Sequence, residues 1–96
     1  MKPKEVEGFS TRRVKPEHGV YDYHVEVNQD GEWKFIGGLN RIPRLSSGAC
    51  WNGRVIDARP HHVVLIDKVY DTMRLALRNV VLGAEHRGLI TKRGEE

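Results

Sequence analysis

Between Tyr21 and Val27 apolar and polar side chains alternate strictly, with Tyr21, Tyr23, Val25 and Val27 interleaved by Asp22, His24 and Glu26. A period of two puts every second side chain on one face, so the segment predicts a half-buried strand. Asn28-Gln29-Asp30-Gly31 follows as a four-residue connection, with glycine where positive φ is needed, and Trp33 and Phe35 then alternate with Lys34. The pattern predicts a β-hairpin over residues 20–36 with its Tyr and Trp rings on one face.

Further along the period lengthens. Val69, Met73, Ala76, Leu77, Val80 and Val81 recur at helical spacing, beside a polar stripe of Asp67, Asp71, Arg74 and Arg78. Asp67 suits an N-cap and Gly83 a C-terminal stop, so a helix is expected over 68–82. Short β-branched runs predict strands near 54–58 and 62–66, and Leu89-Ile90-Thr91 a last short strand. Residues 1–19 lack a sustained period and contain Pro3 and Pro16. They are expected as an extended arm pinned by Phe9, with residues 92–96 a frayed tail. Residues 37–53 hold four glycines, a proline and two serines and read as a long loop. The expectation is one α+β domain over 20–91: a small antiparallel sheet of three to five short strands packed on one helix. A single helix covers one sheet face and leaves the other solvated or used.

Ninety-six residues suffice for about one domain, and at 39% hydrophobic the chain has enough apolar surface for a core. So short a chain buries little, which brings a homodimer or a partner into consideration. Apolar runs stop at about the length of Val63-Val64-Leu65-Ile66, against the ~20 residues of a membrane span. Met1-Lys2-Pro3-Lys4-Glu5 continues into charge, so no signal peptide is expected. Cys50, the single cysteine, suits a reducing compartment. A cytoplasmic protein without a membrane partner is the expectation.

The net charge of +3 is unevenly spread. Residues 37–62 carry Arg41, Arg44, Arg54 and Arg59 against Asp57 alone, while the flanking stretches nearly balance. Guanidinium suits bidentate binding of carboxylate or phosphate, so the choice of cation matters. Together with Trp51 and Asn52, these arginines form the candidate partner-binding set. They fit an acidic protein surface, since Trp and Arg are typical interface anchors. They equally fit phosphates with a ring stacked on a base.

Other chemistry has thinner support. Vicinal His61 and His62 would point to opposite faces of a strand and so not chelate one metal together. Cys50 with His61 or His62 and Asp57 supplies the residue types of a nucleophilic triad, without a diagnostic spacing. No Gly-rich phosphate motif occurs. No metal, cofactor or catalytic residue is therefore expected. The leading expectation is a small non-enzymatic interaction or regulatory protein, of the accessory or inhibitor kind common in phages and mobile elements. It would bind a larger protein through the central loop, with a nucleic-acid-binding module as the alternative and a Cys/His enzyme third.

Overall fold

The computed structural model describes residues 3–43, 49–59 and 61–92. It is an α+β fold with six antiparallel strands in one sheet and one C-terminal helix. The strands are β1 (Lys4–Val6), β2 (Phe9–Val14), β3 (Tyr23–Gln29), β4 (Glu32–Pro43), β5 (Ala49–Asp57) and β6 (Val63–Tyr70), followed by α1 (Met73–His86). Their order across the sheet is their order in the chain, so β1 and β6 are the edges.

Asp30 and Gly31 both hold positive φ, 56° and 88°, the backbone a tight two-residue hairpin turn requires. The β3–β4 connection is therefore two residues long rather than four, and Gln29 pairs with Glu32. That register sets Trp33 opposite Asn28 and Phe35 opposite Glu26, while Lys34 opposes Val27. Side chains directly opposed share a face. Trp33 and Phe35 thus lie on the face opposite Tyr23, Val25 and Val27, correcting the expectation of one aromatic face. Ile36 is then an extra residue between the pairs Glu26–Phe35 and Val25–Gly37, and this bulge buries it completely.

The expected N-terminal arm is extended, but as part of the sheet. Glu7 and Gly8 form a second turn with φ of 50° and 85°, and Val6 pairs with Phe9. Phe9 is buried as anticipated, and the buried Thr11 hydroxyl donates to the Lys4 carbonyl at 2.7 Å.

The expected loop over 37–53 is largely strand. β4 runs on to Pro43, and its Leu39 and Asn40 pair with Gly53 and Asn52 of β5. The glycines that suggested a loop serve packing instead. A Cβ on Gly37 would collide with the Arg54 carbonyl and Val80 Cγ1, and one on Gly53 would lie 3.1 Å from Val80 Cγ2. Their absence lets α1 settle on the sheet.

The helix begins five residues later than its period suggested. Lys68, Val69 and Tyr70 are held in β6 by pairing with Gly53, Asn52 and Trp51. Thr72, not Asp67, is the N-cap, its hydroxyl accepting from Leu75 N at 3.1 Å. Gly83 lies within the helix, where it approaches Val55 and Ile66 side chains. Termination falls to Gly88 at φ 79°, with Leu89 N donating to the Ala84 carbonyl at 2.9 Å. Leu89 and Ile90 are buried without forming the expected strand. Lys34 Nζ donates to Leu89 O at 2.5 Å, and the Gln29 carboxamide exchanges two hydrogen bonds with the Thr91 backbone.

Ala76, Leu77, Val80, Val81 and Ala84 of α1 close the core over Val25, Val27, Ile36, Leu39 and Val55. The helix lies mainly on β4 and β5 and reaches β3 and β6. No described element covers the other face.

Candidate functional site

The candidate residues do not form one cluster. Leu39 and Arg41 share the helix-facing side of β4 with Gly37, and Arg41 pairs with Trp51 of β5. Asn52 and Arg54 alternate with Trp51 and Gly53 and therefore face the opposite way. Arg59 follows the far end of β5, where its Nε lies 3.5 Å from Asp57 Oδ1. Arg44 lies outside the described residues. Among the described residues the stretch read as one loop belongs to two strands, and strands divide neighbouring side chains between two faces.

On the uncovered face the rings of Tyr21, His24, Phe35 and His62 make successive contacts, with centroids 6.0, 5.0 and 5.9 Å apart. The row crosses from the β2–β3 connection over β3 and β4 toward the start of β6. Tyr21 lies against Gly38, where any side chain would displace the ring. Two arginines each stand beside a ring and hold a carboxylate. Arg12 is 4.3 Å from the Trp33 centroid and 2.7 Å from Glu26 Oε1. Arg54 is 5.8 Å from the Tyr21 centroid and 3.1 Å from Asp67 Oδ2, with Nη1 3.5 Å from the Tyr21 hydroxyl. The hydrogen bond to Tyr21 raises the Arg54 pKa against the opposing effect of burial, and the Asp67 charge adds to the rise. Asn52 is buried and donates to Asp67 Oδ1 at 2.6 Å and to Lys68 O at 3.0 Å. Arg12, Tyr21, His24, Trp33 and Phe35 were not among the expected site residues. For His24 the signal lay in the even-numbered positions of β3, because an alternating strand defines its second face as well as its first. Trp33 and Phe35 join that face once the turn register is known.

The helix side carries a different arrangement beside the start of α1. Tyr23 and Trp51 meet with centroids 6.2 Å apart and planes tilted by 35°. They line a cleft of about 340 Å³ with Lys15, Asp22, Arg41 and Pro43. The Asp22 carboxylate accepts the Arg41 backbone N–H at 2.7 Å, and Asp22 N donates to Asn40 Oδ1 at 2.8 Å, which fixes the chain entering β3. Arg13 lies 5.4 Å from the Tyr23 centroid and donates to Met73 Sδ at 2.9 Å. It also lines a larger neighbouring cleft of about 580 Å³ between the β1–β2 turn and the first half of α1.

The triad types are kept apart. Cys50 and Asp57 stand near opposite ends of β5, seven residues apart along one strand, which spans roughly 23 Å at ~3.3 Å per residue. The Cys50 thiol is buried and lies 3.7 Å from the Ile42 carbonyl. Among the described residues no three His, Cys, Asp or Glu side chains gather where they would hold a metal ion, and no helix is long and apolar enough to cross a membrane. No family model, no curated protein and no solved structure matches the chain.

Proposed function

We propose that the chain is a small non-enzymatic interaction protein that docks on a larger protein through the uncovered sheet face. The ring row Tyr21–His24–Phe35–His62 carries this reading, since it lies along the sheet face that has no described element over it. Aromatic side chains and arginine dominate the energetics of protein interfaces because they bury large area at low entropic cost. The charges on this face favour a protein over a polyanion. Arg12 and Arg54 already hold Glu26 and Asp67, so a phosphate would have to displace a carboxylate before gaining either guanidinium. A protein surface can instead pack on the rings and complete the remaining hydrogen-bond positions of both ion pairs.

The test is capture from host lysate on the immobilised protein, with and without nuclease, alongside Phe35→Ala and Arg54→Ala. Both side chains are part-exposed, so their truncation leaves the fold to be verified by circular dichroism. The expected result is a nuclease-resistant protein retained by the native chain and lost with either variant. Capture abolished by nuclease, or equal capture by both variants, overturns the reading. Size-exclusion chromatography over a range of concentrations identifies the case in which the partner is a second copy.

A further inference from the structure

From the helix-side cleft we infer a second site, beyond the protein-docking face, that binds a nucleobase together with its phosphate, as presented by single-stranded nucleic acid. Two half-buried rings, Tyr23 and Trp51, form its apolar wall, and the 35° tilt between them opens a wedge for a flat ring. Bases stack on such platforms irrespective of sequence because every base has a π-face. Its volume of about 340 Å³ falls at the small end of ligand pockets, which run from roughly 300 to 1,000 Å³.

The charge pattern fits the phosphate. Lys15 and Arg41 are exposed on the cleft rim and make no ion pair among the described residues, in contrast to Arg12 and Arg54 on the other face. Arg13 stands just beyond Tyr23 with its guanidinium toward the ring and the Met73 sulfur. Arg41, Lys15 and Arg13 therefore flank the ring pair and lead toward the larger cleft, a track for a backbone longer than one nucleotide. Among the described residues Asp22 is the one carboxylate in the lining, and it already accepts the Arg41 N–H. Its remaining acceptor capacity suits an exocyclic amine or a ribose hydroxyl. Duplex DNA keeps its ring faces stacked internally and offers the wedge nothing, so single strands are favoured.

Fluorescence anisotropy of labelled oligo(dT) and oligo(U) octamers, at 50 and 150 mM salt, tests the site, with a duplex octamer and unlabelled UMP as competitors. Three phosphate contacts on a single strand imply a log–log salt slope of about −2. Trp51→Ala and Arg41→Ala should each weaken octamer binding tenfold or more, and the duplex should bind at least tenfold worse. Arg54→Ala and Phe35→Ala should change it less than twofold, so failure of the docking face and failure of this site are separable. UMP competing as well as an octamer assigns the site to a free nucleotide, and an octamer advantage of thirtyfold assigns it to a strand. Absence of octamer and UMP binding at 50 mM salt overturns the inference. So does equal loss in Arg59→Ala, which would indicate diffuse charge, or equal affinity for duplex. If Trp51→Ala fails to fold, Arg41→Gln carries the test, with Trp51 quenching read in Trp33→Phe.

Discussion

The Tyr21 ring occupies the space a side chain at position 38 would need: a Cβ built on Gly38 would come within 2.6 Å of its Cγ. One residue away, a Cβ on Gly37 would strike the Arg54 carbonyl and a Val80 methyl. The two glycines lie on opposite faces of β4, and their substitutions should differ accordingly. Gly38→Ala displaces a surface ring and should cost about 1 kcal/mol, while weakening capture through the uncovered face. Gly37→Ala must move backbone or the helix and should cost about 3 kcal/mol, the upper part of the usual overpacking range. Urea unfolding of both variants checks the order.

The helix start gives a second test. Thr72→Ala removes the acceptor for Leu75 N and should cost about 1 kcal/mol, with faster amide exchange over the first turn of α1. Asp67→Ala should leave that exchange unchanged. Its effect belongs to Asn52 and Arg54, both of which lose a carboxylate partner.

Cys50→Ser should leave both proposed interactions intact, because the thiol is buried against the Ile42 carbonyl near the end of the β4–β5 pairing. In the native chain a thiol reagent should react slowly without denaturant and quickly with it. Rapid labelling of the folded protein would contradict the buried placement.

Burial raises the Tyr70 pKa above its ordinary value of 10.0. The folded chain therefore holds the phenolic proton more tightly than the unfolded one. Stability from this group is complete below pH 10 and declines as pH rises through the folded-state value. Urea midpoints between pH 8 and 11.5 should fall more steeply for the native chain than for Tyr70→Phe.

The sequence made the period-two strand β3 plain, and the helix too, because α1 carries its stripe of Ala76, Leu77, Val80 and Val81 without interruption. It misled wherever glycine had a packing purpose. Gly37, Gly38 and Gly53 read locally as breakers, and only the positions of Val80 and Tyr21 explain them. Val69 fits the helical stripe by spacing but belongs to β6, where pairing with Asn52 overrides local preference. For the site, Arg41 and Trp51 were legible as residue types and meet as a cross-strand pair. Their separation from Asn52 and Arg54 was hidden because it depends on reading 49–57 as a strand. The role of Tyr23 depends on the β3–β4 register, which Asp30 and Gly31 set by a turn two residues shorter than the pattern implied.

A sheet whose spatial order repeats its chain order is assembled from neighbours alone. Each added strand closes only the short connection before it, so the entropy lost at every step is small. Pairing between sequence neighbours keeps contact order down for a β-rich domain, so folding toward the fast end of that class is expected. The exception is α1 and its flanks: Val80 stands over Gly37 and Gly53, Arg13 reaches Met73 and Gln29 reaches Thr91, contacts that close long loops and are expected to form late. Substitutions at that crossing should mainly quicken unfolding, whereas changes at the Asp30-Gly31 turn should slow the forward reaction.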